Sequence, residues 1–315
     1  MAMNQNAIHT LNMSRYEWLQ ERKKGIGGSD AGVILGLNKY RTPFELWLEK
    51  TGQVEPQEID SEAIYWGNQM EDVVAKEFEK RTGKKVRRAN FMFSHPDYPF
   101  IRANIDRMVV GESAVLECKT ASAYLSKEWE ADEVPATYLV QVQHYLGVTG
   151  KEKGYIAVLI GGNRFIWKEI ERDEELINMI FEAEKQFWTY HVEQGIAPEL
   201  DGSSAAENYL KEKYAVAEKD KEIVLPNDYK DLINQYEQIK HDADVIKKAK
   251  TEIENKIKAE LKDAEKGIID SFVVTWKNQT QLRVDTKALK ERFPDIYKQV
   301  LKETSFRKFV IKEAK

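Results

Sequence analysis

The spacing of apolar and polar positions along the chain predicts a set of strands and the helices that flank them. Apolar residues recur every three or four positions in several stretches, which is the spacing of amphipathic helices. Shorter apolar runs bounded by turn residues favour strands. The predicted helices lie at 14–24, 43–52, 62–82, 137–148 and 173–195, and the predicted strands at 84–93, 103–120, 155–160 and 164–170. This order predicts an α/β fold with a mixed central sheet flanked by helices.

The last third of the chain has a different pattern. Residues 229–266 are charged and almost free of glycine and proline, with apolar residues often three or four apart. This predicts one long amphipathic helix or a helical hairpin. Strands are expected at 272–277 and 307–312, with a helix at 286–302 between them. We therefore expect a first domain over 1–200 and a mainly helical extension over 201–315. The extension is either an interaction module or a packing extension of the first domain.

Composition is consistent with a packed intracellular protein. The 315 residues are 42% hydrophobic and 10% aromatic, which is enough for a large core. No apolar run approaches the ~20 residues that a membrane span needs. The single cysteine, Cys118, excludes an internal disulfide and fits a reducing compartment. The first thirteen residues are polar and lack the order of a secretory signal, so a soluble, cytoplasmic protein without membrane partners is expected.

The net charge of −5 argues against a chain that coats nucleic acid without specificity, because that binding mode usually requires a basic balance. An acidic surface can still surround a local basic groove. Phosphate contacts need only a few well-placed lysines, arginines or helix N-termini. The charge therefore leaves nucleic-acid chemistry open.

Three ionisable residues in the predicted hairpin at 103–120 are the main candidates for chemistry: Asp106, Glu117 and Lys119. Side chains at i and i+2 of a strand share a face, so Glu117 and Lys119 point the same way. Asp106 can lie across from them if the two strands pair. Two carboxylates in an apolar hairpin are expensive to bury unless a cation compensates them. A divalent metal site is therefore expected here.

This pattern resembles the PD-(D/E)XK nuclease core. Two flanking elements extend the resemblance: Gly67-Asn-Gln-Met-Glu71 is similar to the helix that supplies a further acidic ligand, and Gln141-Val-Gln-His-Tyr145 to a helix with a Gln-x-x-x-Tyr element. With Gly25-Ile-Gly-Gly-Ser-Asp-Ala near the start, the chain resembles the YqaJ-like viral recombinases, relatives of phage lambda exonuclease. The resemblance covers roughly the first two thirds of the chain.

The resemblance implies a metal site formed by Asp106, Glu117 and the backbone carbonyl of Cys118, completed by Glu71. The expected ion is Mg²⁺, with Mn²⁺ as an alternative and two ions per site. Lys119 would orient or help to deprotonate the attacking water. Gln141 would lie near this water or the scissile phosphate, and Tyr145, on the same helix face, is assigned to the catalytic set with it. From the residues alone, Glu71 could equally be a solvated acid, and Gln141 could make an interhelical hydrogen bond.

The glycine-rich turn at 25–28 opens onto a predicted helix, where free N–H groups, the Ser29 hydroxyl and Arg22 make a suitable anion site. The alternative is an ordinary Ser or Asp cap with glycines for close packing. The resemblance assigns Arg22 and Ser29 to the 5′-phosphate of a DNA end.

The function implied by the resemblance is a metal-dependent DNA exonuclease of phage-type recombination, encoded by a phage or prophage in a bacterial host. It would digest double-stranded DNA ends from 5′ to 3′ and expose 3′ single strands for an annealing protein. A homo-oligomer is also expected, a trimer by resemblance, and the extension could guide DNA. The alternatives are a structure-specific endonuclease and a non-catalytic recombination scaffold.

Overall fold

The computed structural model describes residues 7–54, 62–130, 133–302 and 306–313. Residues 56–61, an acidic stretch whose sequence predicts a linker, lie outside these ranges. Contacts group the chain into two units, residues 1–209 and 210–315, which are described separately.

Among its described residues, the first unit contains eight strands and six complete α-helices. The helices are α1 (Arg15–Lys23), α2 (Gly28–Ile34), α3 (Pro43–Lys50), α4 (Glu62–Thr82), α5 (Ala136–Thr149) and α6 (Glu174–Gln186). The strands are β1 (Ile8–His9), β2 (Val86–Arg88), β3 (Phe91–Ser94), β4 (Arg102–Asn104), β5 (Arg107–Val109), β6 (Ala114–Ala121), β7 (Lys153–Ile160) and β8 (Arg164–Glu171). A 3₁₀ helix spans Ala123–Trp129, a π-helical segment, Phe187–Glu193, continues α6, and α7 (Ser204–Lys213) crosses the unit boundary.

Helix starts follow the local sequence. Ser14 caps α1 in a capping box with Glu17, and Thr42 caps α3 in the same way with Glu45. Pro43 occupies the first turn of α3, where its missing N–H has no intrahelical partner to lose. These capping residues mark the starts of α1 and α3 in the local sequence.

The main sheet has five strands in the order β2-β5-β6-β7-β8. β6 and β7 are parallel, and every other neighbouring pair is antiparallel. A parallel pair needs a long crossover, and α5 provides it. The sheet is therefore mixed and flanked by helices, as the sequence predicts.

The strand predicted at 84–93 is wrong in one respect, because two strands occupy it. β2 belongs to the five-stranded sheet, whereas β3 pairs with β1 and β4 in a separate three-stranded sheet. The break falls at Asn90, whose φ of 51° lies in the left-handed region. The stretch 103–120 is also divided between the two sheets. β4 joins the three-stranded sheet, whereas β5 pairs with β6 in the five-stranded sheet.

Apolar side chains fill both faces of the main sheet. On one face, α5 covers β6 and β7 through residues such as Val142 and Leu146, and α6 packs on α5, with Ile180 in the same apolar cluster. On the other face, α4 contributes Val74 and Phe78. The sequence spacing places Val73 in the same apolar stripe of α4, but Val73 is exposed.

The second unit contains a long helix, a hairpin and two short helices. α8 (Tyr229–Leu261) is one continuous helix rather than a helical hairpin. β9 (Lys266–Ile269) pairs with β10 (Phe272–Thr275), and the sequence analysis missed β9. The helix predicted at 286–302 is two helices, α9 (Thr286–Arg292) and α10 (Pro294–Val300), because Pro294 begins a new one. The strand predicted at 307–312 is wrong, since these residues form no strand.

Candidate active site

The β5–β6 hairpin brings Asp106 and Glu117 to the same end of the sheet. Asp106 comes immediately before β5, and its Oδ2 accepts a hydrogen bond of 2.8 Å from the backbone N–H of Cys118. Glu117 and Lys119 lie on one face of β6, with 2.6 Å between Lys119 Nζ and Glu117 Oε1. The predicted convergence of Asp106, Glu117 and Lys119 is therefore present in the fold.

Helix α5 contacts Glu117 through a hydrogen bond from Gln141. Gln141 donates hydrogen bonds of 2.7 Å from Nε2 to Glu117 Oε1 and to the hydroxyl of Tyr145. Gln141 and Tyr145 are one helical turn apart and share a face. The Gln141 partner is thus a carboxylate of the candidate site, not another helix.

The ring of Tyr138, also on α5, lies 5.3 Å from Lys119 Nζ and stacks on the buried ring of Trp129. One helix therefore contacts both residues of the Glu-x-Lys pair. No pattern in the sequence indicated a role for Tyr138 at this site, because aromatic residues at helix starts often serve in core packing.

Glu71 reaches the edge of this site from α4, but an arginine holds it. The buried guanidinium of Arg107 pairs with Glu71 and, at 2.5 Å, with Asp72. Burial and the nearby Asp106 carboxylate raise the pKa of Glu71. Within the described ranges, no group of three or more His, Cys, Asp or Glu side chains is arranged to hold a metal ion. In this arrangement Glu71 therefore lies near Asp106 and Glu117 without completing a three-acid cluster.

Electrostatics at the site show an excess of buried negative charge. Burial and the Glu117 carboxylate raise the pKa of Asp106 to about 7, against the hydrogen bond from Cys118. Although burial opposes its charge, Glu117 and Asp106 raise the pKa of Lys119. Lys119 is therefore a protonated ammonium at neutral pH, which suits charge compensation better than proton abstraction.

The donor set fits a hard divalent cation. Glu117 Oε2 is buried and has no hydrogen-bond partner among the described residues. A buried, unpaired carboxylate oxygen beside a second carboxylate is unfavourable unless a cation compensates it. Two carboxylates, a nearby backbone carbonyl and water molecules are ligands that Mg²⁺ or Mn²⁺ accepts.

Arg22 and Ser29 are also brought together. Arg22 Nη2 donates a hydrogen bond of 2.7 Å to Ser29 Oγ, at the start of α2. Beneath them, the buried Asp30 accepts from Arg22 at 3.3 Å and pairs with Lys50 Nζ at 2.8 Å. Despite burial, Lys50, Arg22 and Arg41 hold the pKa of Asp30 far below its usual value. Arg41 also pairs with Glu49 at 2.6 Å, so the three cations exceed the two carboxylates by one charge. This excess favours an anion beside Arg22 and Ser29.

A close contact joins the glycine-rich turn to the acidic site. A Cβ atom added at Gly28 would lie 2.5 Å from Cε1 of Tyr145 and 3.1 Å from the carbonyl oxygen of Gln141. Only glycine allows this approach without moving α5.

His144 lies outside the candidate site, in the core behind it. Its Nδ1 is 2.7 Å from Glu184 Oε1, and its Nε2 is 2.8 Å from the carbonyl oxygen of Arg102. Both ring nitrogens are engaged with structural partners, in agreement with the structural role that a lone helical histidine usually has.

The mixed sheet, the parallel β6–β7 pair joined by α5, and Asp106, Glu117 and Lys119 at one end define the PD-(D/E)XK nuclease fold. Residues 17–152 match the model of the YqaJ-like viral recombinase domain. The YqaJ protein of Bacillus subtilis (strain 168) is 60% identical over 303 residues, which cover 96% of this chain and 95% of that protein. This chain belongs to the YqaJ family.

Solved structures include more distant matches. An alkaline exonuclease from Laribacter hongkongensis is 20% identical, with a TM-score of 0.48, over 64% of this chain and 98% of that one. A phage-related exonuclease from Haemophilus somnus 129PT is 16% identical, with a TM-score of 0.45, over 54% of this chain and 94% of that one. In the part of the chain that the structure describes, no helix is both long and apolar enough to cross a membrane.

Proposed function

We propose that this protein is a metal-dependent deoxyribonuclease that acts in phage-type recombination. The observation that carries the proposal is the position of Glu117. One of its oxygens is bound by Lys119 and Gln141, while the other is buried, unpartnered within the described residues, and next to Asp106. A buried carboxylate oxygen without a partner, beside a second carboxylate, supports a bound cation at this position.

Asp106, Glu117 and the Cys118 carbonyl are the proposed ligands, and Glu71 joins them once it leaves Arg107. When bound, Mg²⁺ or Mn²⁺, as one or two ions, would supply a water of lowered pKa and neutralise phosphate charge. Lys119 keeps its proton, orients the attacking water and offsets charge on the scissile phosphate. Gln141 holds Glu117 in place, and Tyr145 holds Gln141.

The proposed substrate is the end of double-stranded DNA. Membership of the YqaJ family, whose domain is described as a viral recombinase, supports a role in recombination. The Arg22–Ser29 pair lies beside one positive charge more than Asp30 and Glu49 compensate, which supports binding of a 5′-phosphate and hence digestion from 5′ to 3′. The exposed 3′ strand would then pass to a single-strand annealing protein.

The test is a digestion time course with Mg²⁺ on three DNA substrates: a linear 5′-phosphorylated duplex, the same duplex with a 5′-hydroxyl, and a closed circle. Loss of the phosphorylated linear duplex, with the circle intact, is expected. A nicked circle would show that the protein is an endonuclease and not an exonuclease. No cleavage of any substrate with Mg²⁺ or Mn²⁺ would refute the proposed nuclease activity and favour the non-catalytic recombination scaffold.

A further inference from the structure

Helix α8 carries an apolar seam that the proposed nuclease function does not use. Its 33 residues extend over roughly 50 Å. Apolar residues recur along it at alternating steps of four and three. The seam consists of Leu232, Tyr236, Ile239, Ala243, Ile246, Ile253 and Ile257, with Lys250 as its one polar position. This is a heptad repeat, with Tyr236 at position a and Ile239 at position d.

The seam is open to solvent. Its six large apolar side chains are 42–68% exposed. The buried residue of α8 is Leu261, at its C-terminal end, where it packs on Gly267 of the hairpin. Tyr236 has an edge contact with Phe309, with 6.4 Å between ring centroids. An exposed apolar stripe of this length is typical of an interaction surface.

One pair of opposite charges beside the seam complements a second copy of the same helix. In a parallel pair, a g residue faces the e residue of the next heptad on the partner helix. This places Asp242 opposite Lys247, and none of the other g–e pairs within Tyr229–Leu261 has like charges. In an antiparallel pair centred on the helix, e positions face e positions, and lysines at 240 and 247 would then repel one another.

The one polar seam position is also accommodated. Lys250, at position a, forms an ion pair of 3.6 Å with Glu254 on its own helix, at position e. A single polar residue at a fixes the register of a coiled coil at some cost in stability. Isoleucine at successive d positions favours assemblies of more than two helices.

We propose that α8 joins copies of this chain in a parallel coiled coil through its Leu232–Ile257 seam. The inference does not depend on the nuclease function, since it rests on the seam, its exposure and the charge pattern beside it.

The test measures the mass of the full chain by sedimentation velocity over a range of concentrations. The wild-type protein should be heavier than one chain. Ile246→Asp places a charge in the seam and should weaken association roughly a hundredfold or more. The matched control is Val245→Asp, which changes an exposed apolar neighbour at position c, outside the seam, and should shift association less than about threefold.

Orientation is tested by a charge exchange. Lys247→Glu should weaken association by setting two acids against each other, and adding Asp242→Lys to the same chain should restore it. These residues are five apart and are not neighbours on one helix, so rescue reports on contact between chains. Circular dichroism would verify that each variant is folded. A wild-type protein that stays a single chain at every concentration, or an Ile246→Asp variant that assembles like the wild type, would overturn the proposal.

Discussion

Helices α6 and α8 show that the same sequence pattern can lead to opposite environments. Both have apolar residues three or four positions apart. In α6, Ile177, Ile180 and Phe181 are buried against the helix that crosses between β6 and β7. In α8 the corresponding stripe is exposed. Periodicity therefore predicts a helix and its apolar face, but it does not identify what covers that face.

The difference extends to the two units. The large apolar core lies in the first unit, and among the described residues after position 209 the buried apolar side chain is Leu261. The candidate active site lies against that core, where rigid packing holds Glu117 and Lys119 in place. The second unit has few such constraints, so its contribution is expected through its surface.

The largest expected effect concerns the site. Lys119→Ala should lower the rate of DNA cleavage about 10²- to 10³-fold, because the ammonium beside Glu117 is lost and no longer offsets charge on the scissile phosphate. Single-turnover cleavage of a linear duplex measures it. The control is Lys153→Ala, which removes a half-exposed lysine paired with Glu169 on the same sheet. An unchanged rate in a folded Lys119→Ala protein would remove Lys119 from the mechanism.

The two units should also differ in their response to truncated side chains. Phe78→Ala should lower the free energy of unfolding by about 3–5 kcal/mol, because Phe78 is fully buried against Tyr155. Phe272→Ala, at an exposed position of β10, should change it by less than about 0.5 kcal/mol. Urea denaturation measures both. Similar losses would mean that the second unit has a packed core of its own.

A smaller effect of opposite sign is expected at Asp106. Its pKa is about 7 in the folded chain, against an ordinary value of 3.8. Between these values the folded state binds more protons than the unfolded state, so without divalent ions stability should fall as pH rises from about 4 to 7. Asp106→Asn should remove this dependence and stabilise the ion-free protein at pH 8 by roughly 1–3 kcal/mol.

Thermal melts at several pH values, with and without Mg²⁺, measure this effect. Mg²⁺ should raise the melting temperature of the wild type at pH 8 and leave that of Asp106→Asn unchanged. A destabilised Asp106→Asn protein would show that Asp106 contributes more to the fold through Cys118 than it loses by repulsion.

Local chemistry explains why part of the site could be predicted from the sequence. Glu117 and Lys119 are two positions apart on one strand, so their shared face follows from strand geometry. The position of Asp106 opposite Glu117 follows once the two strands pair as a hairpin. The contact between Gln141 and Glu117 joins residues 24 positions apart. The family resemblance placed Gln141 near the attacking water or the scissile phosphate, and no pattern in the sequence indicated its contact with Glu117.

Other features depend on tertiary contacts that no local pattern encodes. Arg107 is a charged residue of a short strand, yet it is buried and pairs with Glu71 and Asp72. Lys50 pairs with Asp30 from the far end of another helix. The left-handed residue Asn90 divides a predicted strand between two sheets. In each case a distant partner or a single backbone angle determines the outcome.

The contact between Gly28 and Tyr145 has a consequence for random mutagenesis. Any side chain at position 28 must displace the Tyr145 ring, which supports Gln141, which in turn supports Glu117. A screen for inactive variants should therefore recover substitutions at this glycine as often as at the acids themselves. Position 28 would look catalytic in such a screen, although glycine has no functional group to contribute.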